Sequence, residues 1–302
     1  MLVETRIPFK FIFNKINIEL LFVGLYAIIV GLVDENKIIN IEIPIAITAI
    51  IGTAISLLLT FRTNQGYDRW WEARIVWGAI VNDSRTLTRQ LLSFVSDESL
   101  GEPDTQRLVR QMTHRQIAFC YSLGQSLRAL DAATITEDFI TADEHTFIRQ
   151  HANIPNALLL LHGKTLKTLL ASGRINPFQQ AQIDDTIRRL CDSMGKCERI
   201  KNTVFPTMYS LIVHFFVYLF IVMLPFGIVR QVGLSEAPIV IAIATIFFLI
   251  EKTGLYLQDP FDNKPTDTPV TAIARTIEIN LKQMLDEASV PQPLTPEDYY
   301  LM

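Results

Sequence analysis

The chain has 302 residues, 49% of them hydrophobic and 19% charged, and its mean hydropathy is positive. Soluble domains carry nearer ~25% charged residues, so this composition excludes an ordinary soluble domain and favours a membrane protein with a soluble part. A formal net charge of -4 excludes the basic balance of a nucleic-acid binder.

Residues 1–15 mix apolar residues with Arg6, Lys10 and Lys15, which suits a segment at the inner headgroup surface. The apolar run that follows is too long for a secretory signal and lacks an A-x-A cleavage site. Ile16–Val33 is the first predicted span, near the ~20 residues a bilayer core needs. Glu19, one turn inside it, is expected to snorkel to the interface. After a polar turn at 34–40 comes the second span, Ile41–Phe61, with Pro44 in its first turn, where a missing N–H costs little. Gly52, Ser56 and Thr60 recur every four residues, a spacing that serves close helix packing or a polar face lining water.

From Ala54 to Arg74 the sequence runs AISLLLTFRTNQGYDRWWEAR without a helix breaker. An apolar helix that passes into a tryptophan-rich polar continuation is leaving a membrane, since Trp and Tyr favour that boundary. Ala73, Val76, Trp77, Ile80, Leu87 and Leu91 then keep helical spacing. Ser96–Pro103 reads as a loop and residues 104–130 as an amphipathic helix carrying Met112, Phe119, Leu123 and Leu127. Shorter helices are predicted over 136–150 and 156–170.

Asn176-Pro177 opens the next helix, an N-cap followed by proline at the first position. Ile183, Ile187, Leu190, Met194 and Cys197 face inward, with Asp184–Arg188 and Asp185–Arg189 pairs outside. The helix must end or kink at Pro206. Met208–Val229 is the third span. His214 within it is either functional or a neutral histidine bonded to a neighbouring helix. Residues 237–250, extended by Gly254, Leu255 and Tyr256, form the fourth. After the polar loop 259–267, Val270, Ile273, Ala274, Ile277, Leu281 and Met284 make one stripe of a last amphipathic helix, and Pro291 begins a tail.

The division expected is 1–61, N-terminal segment and two spans; 62–206, a large cytosolic helical region; 207–257, two further spans; and 258–302, loop, helix and tail. Lys and Arg cluster in the N-terminus, the 62–206 region and the C-terminal segment, while the opposite loops hold Lys37 and Arg230. This asymmetry predicts both termini and the helical region on the cytosolic side. Cys120, Cys191 and Cys197 show no C-x-x-C or metal spacing and read as reduced, buried residues. No H-E-x-x-H, G-x-S-x-G or phosphate-binding glycine loop is present, and five scattered histidines make no site. Nothing therefore points to catalytic residues, a metal or a cofactor, and the chain does not read as an enzyme.

Phe61–Arg74, F-R-T-N-Q-x-Y-D-R-W-W-E-A-R, resembles the signature of the bacterial bestrophin family. Cys197-Glu198-Arg199-Ile200 followed by Pro206 resembles its second landmark, and Gln258-Asp259-Pro260-Phe261 its third. The resemblance implies an all-α membrane protein with four transmembrane helices and a large cytosolic region, assembled as a homopentamer in the bacterial inner membrane. It implies a channel for small monovalent ions, chloride somewhat ahead of monovalent cations, with the lipid bilayer and the permeant ions as its partners. The pore neck would be Thr53, Leu57 and Phe61; Thr53 departs from the bulky apolar pattern of the family. A cytosolic aperture would fall at Phe178. Animal members bind calcium through an acidic run after the third landmark. The matching residues, Asp262-Asn263-Lys264-Pro265-Thr266-Asp267, hold two carboxylates and a lysine, so no calcium clasp is expected. The alternative function is a membrane-anchored structural or signalling protein that binds a soluble partner through its cytosolic helices.

Overall fold

The structure, a computed structural model, describes residues 13–36, 43–95, 103–203, 206–232, 235–296 and 300. Residues 1–12 of the N-terminal segment, 37–40 of the first turn and 96–102 of the loop expected after the long helix lie outside the described residues. The elements are helices: α1 (Asn17–Glu35), α2 (Ile45–Phe94), α3 (Pro103–Leu127), α4 (Ala142–Arg149), α5 (Ile154–Ala171), α6 (Pro177–Asn202), α7 (Thr207–Val232), α8 (Glu236–Leu257) and α9 (Val270–Met284). Among them α1, the apolar part of α2, α7 and α8 are long and apolar enough to cross a membrane.

The exit read from the sequence is one helix. Its 50 residues run about 75 Å at 1.5 Å per residue. Pro44 precedes this helix rather than sitting in its first turn; its carbonyl accepts the Ile47 N–H at 2.8 Å. The chain divides at Trp70/Trp71 and again around residues 203 and 259 into two compact units. Each has its own core.

The membrane unit holds α1, α2 up to Trp70, α7 and α8. Val23 and Ala27 of α1, Ile55 and Leu59 of α2, Val213, Val217 and Phe220 of α7, and Val240, Ala244 and Phe248 of α8 pack together. Small residues let these helices approach. A Cβ at Gly52 would stand 3.0 Å from the Phe220 ring, and one at Gly66 would stand 3.0 Å from the Gly254 carbonyl oxygen. Of the Gly52, Ser56 and Thr60 series, only Gly52 is packed in this way; Ser56 and Thr60 are exposed. Glu19 does not simply snorkel: Lys252 Nζ of α8 lies 3.2 Å from its carboxylate.

The helical body holds α2 from Trp71, with α3 to α6 and α9. Trp77, Ile80 and Leu87 meet Met112, Phe119, Leu123, Leu158, Ile183 and Leu190 in one core. The α9 stripe, from Val270 to Leu281, is buried in that same core. One buried polar group of this body is well paired: the Arg115 guanidinium bonds Glu144 and, at 3.1 Å, Thr165. Asn176 caps α6 in a reciprocal box with Gln179, and Pro177 takes its first position, as the sequence predicts. Two expectations on α6 are corrected. Cys191 is exposed, because it lies about 100° round the helix from the inward Leu190. Arg188 reaches Asp185 and Asp192, each at 2.8 Å, rather than Asp184. Burial pushes the Cys120 and Cys197 thiols up to about 12, which keeps them in the inert thiol form.

Candidate ion pathway

Successive residues of a helix turn by about 100°, so positions four apart drift only ~40° and stay on one face. Thr53, Leu57 and Phe61 share such a face of α2. All three are exposed in the protomer, Leu57 at 58% and Phe61 at 55%. Ile55 and Leu59, on the other side of the same turns, are 2% and 1% exposed. The face that remains uncovered is therefore apolar at its centre, although the helix buries equally apolar residues behind it. Its hydroxyls are turned back on their own helix: Thr53 donates to the Ala49 carbonyl, Ser56 to Gly52 and Thr60 to Ser56, each at 2.8 Å. These bonds leave the face with no side-chain donor committed to anything beyond α2. Asp68, seven residues past Phe61 and again on this face, is exposed.

In the helical body, Phe178 follows Pro177 in the first turn of α6 and is 82% exposed. The capping box at Asn176 fixes the turn that presents it. In the loop before α9, Asp262 is held by Lys201 Nζ at 2.8 Å and Lys264 Nζ at 2.7 Å. Asp267 accepts the Lys264 N–H at 3.0 Å. Both carboxylates are thus engaged by cations or backbone donors.

Immediately after Phe61 the membrane unit contains a polar cluster that the sequence did not suggest. Arg62 of α2 is buried, as is Glu251 of α8, with Nη1 to Oε1 at 3.7 Å. Arg62 Nη2 donates to Ser210 Oγ of α7 at 3.2 Å. His214 Nδ1 lies 2.8 Å from the same Glu251 Oε1. His214 thus bonds a neighbouring helix, through Glu251 of α8. One turn before Arg62, the Tyr209 hydroxyl donates to the Leu58 carbonyl at 3.0 Å. The signal available in the sequence was an arginine directly after an apolar span; its partners are about 150 and 190 residues further along and share no motif with it.

Residues 7–283 match the family model described as Bacterial/Fungal Bestrophin protein. The voltage-dependent anion channel-forming protein YneE of Escherichia coli K12 is 30% identical over 290 residues, covering 96% of this chain and 93% of that one. A voltage-dependent anion channel-forming protein of Nostoc is 31% identical over 261 residues, covering 86% and 84%. The crystal structure of a bacterial bestrophin homologue from Klebsiella pneumoniae, 29% identical, superposes with a TM-score of 0.85 over 91% of this chain and all of that one.

Proposed function

The chain belongs to the family of bacterial and fungal bestrophins, and from that premise we propose that it is a homopentameric ion channel of the bacterial inner membrane. Small monovalent ions, chloride ahead of cations, pass through one central pore. The neck is lined by Thr53, Leu57 and Phe61, and Phe178 rings a second aperture on the cytosolic side. The observation that carries this reading is the uncovered apolar face of α2: Leu57 and Phe61 stay more than half exposed while Leu59 between them is buried. Five such faces around an axis make stacked apolar rings, which pass ions only when wetted. The names of the relatives from Escherichia coli and Nostoc support an anion as the permeant species. The channel is not calcium-gated; the engagement of Asp262 and Asp267 by Lys201 and Lys264 supports this, because calcium requires several free converging oxygens.

The test is the reversal potential of the purified protein in bilayers across a potassium chloride gradient, in chelator and in micromolar calcium. A potential near that of chloride, with the same current in both solutions, is the expected result. A potential near that of potassium would transfer selectivity to the exposed Asp68, since rings of carboxylates select cations. Absence of any current would return the protein to an anchored structural role.

A further inference from the structure

The Arg62–Glu251–His214 cluster stands next to the neck, and its bonding is unequal. Glu251 offers Oε1 to two groups. His214 is at hydrogen-bond distance, 2.8 Å, whereas Arg62 Nη1 is at 3.7 Å, beyond a hydrogen bond and held by charge alone. Arg62 donates to Ser210, but its Nε and Nη1 make no hydrogen bond. A buried guanidinium with two unmade bonds and one distant counter-ion depends on that carboxylate. Because Arg62 follows Phe61 on α2, whatever holds its head group fixes the rotation of α2 at the neck. Tyr209, bonded to the Leu58 carbonyl, fastens the preceding turn to α7.

We propose that Glu251 is a positioning residue for the neck, holding Arg62 and with it Phe61 in the closed register until protonation of His214 draws its carboxylate away. The proposal rests on the channel reading above. Histidine is the side chain that changes charge between pH 5 and 8. The neutral ring shares Glu251 with Arg62 as a dipole; the imidazolium claims it as a full charge. Arg62 then becomes an uncompensated buried cation, its end of α2 is displaced, and the Phe61 ring leaves the axis. Among the described residues, His214 meets Glu251 of α8 and Tyr218 of its own helix, whose ring centroid is 4.6 Å away, and Arg62 of α2 approaches the same Glu251 oxygen. Lys252, next to Glu251, is occupied by Glu19 of α1. His214 itself is 52% exposed on the single protomer, whereas Glu251 is 1% exposed, so the ring is the outer member of the cluster.

The experiment compares wild type, His214→Gln, Glu251→Gln and Arg62→Gln/Glu251→Gln in bilayers, with both chambers at pH 7.5 and then at pH 5.5. Wild-type current should rise by about fivefold or more on acidification, the lower end of usual coupling between sites. His214→Gln should lose that rise. Glu251→Gln should conduct at pH 7.5 as wild type does at pH 5.5, with no pH response. The double variant, which removes the stranded charge as well, should return to low current. Melting of the same four proteins in detergent gives a second readout: Glu251→Gln should melt lower, and adding Arg62→Gln should recover most of the loss. A His214→Gln channel that keeps the wild-type rise overturns the proposal. So does a wild-type current that falls with acid, or an assembled Glu251→Gln channel with wild-type behaviour. If no protein conducts, melting still decides: recovery of the Glu251→Gln loss in the double variant retains the cluster as a latch and rejects the channel reading, whereas a double variant that melts no higher than Glu251→Gln rejects the latch.

Discussion

Two residues on α2, Leu59 and Phe61, separate the side chain proposed to line the pore from a core side chain. Leu59 is 1% exposed and packs with α7 and α8 in the membrane-unit core. Phe61 lies about 200° further round the helix and is 55% exposed. Truncating a buried leucine to alanine costs roughly 2–5 kcal/mol, so Leu59→Ala should reduce the yield of assembled protein without raising current. On the proposed neck, truncating Phe61 removes an apolar ring from the pore and little from the core, so Phe61→Ala should leave assembly intact and raise conductance or open probability. Size-exclusion chromatography with single-channel recording reads both. Gain of current in Leu59→Ala and not in Phe61→Ala would mean that the register of the neck is wrong. That Thr53, Leu57 and Phe61 share one face was legible in the sequence, because a long tryptophan-rich motif fixes the count along an unbroken helix; their place in a neck is proposed. Glu251 and Ser210 were not legible as partners of Arg62, nor His214 as a partner of Glu251, because only the packing of three helices distant in sequence brings them together. Cys191 was misread for a different reason: composition gives the average burial of cysteine but not the face of α6 on which one particular cysteine stands.

At the level of elements, periodicity and punctuation located the long helices to within a few residues at the ends; the helix expected over 136–150 begins only at Ala142, after a Thr141 cap and a separate 3-10 turn at Thr134–Thr136. The Asn176-Pro177 start is a local signal, complete in four residues, and so it could be read directly. The continuity of α2 was legible for the same kind of reason: nothing between Ile45 and Phe94 breaks a helix. What periodicity could not show is which glycines are there for space. Glycine inside a helix ordinarily costs about 1 kcal/mol against alanine. Gly195, exposed in the middle of α6 with open space where a Cβ would stand, should behave so, and Gly195→Ala should raise the melting temperature. Gly66 should do the reverse. Its Cβ would meet the Gly254 backbone oxygen at 3.0 Å and Leu257 Cβ at 3.1 Å, and a backbone atom cannot swing aside. Overpacking of this kind costs typically 1–3 kcal/mol, enough to outweigh the helix-propensity gain. Gly66→Ala should therefore melt lower than wild type. Equal stabilisation by both substitutions would show that the α2–α8 contact is looser than the structure has it.

For the whole molecule, the remaining question is which side of the membrane the helical body occupies. Four spans, if all cross, place both ends of the chain on one side. Lys and Arg near the span ends favour the cytosol, and the two loops on the opposite side contribute Lys37 and Arg230. The body itself supplies the reporter: Cys191 is the exposed thiol, while Cys120 and Cys197 are buried. Partial desolvation by its neighbours on the helix surface, then the carboxylates of Asp192 and Glu198, hold the Cys191 thiol above its usual range, so labelling should be slow at pH 7 and is best run at pH 8. In spheroplasts an impermeant maleimide should leave Cys191 unmodified until the membrane is permeabilised. Cysteines introduced at Asn36 and Val232, both exposed at the far ends of α1 and α7, should react at once in a Cys191→Ser background. Reaction of Cys191 in intact spheroplasts, with Asn36→Cys and Val232→Cys protected, would invert the molecule in the membrane. The aperture assigned to Phe178 would then open outward, and a proton reaching His214, in the second turn of α7, would come from the outside rather than from the cytosol.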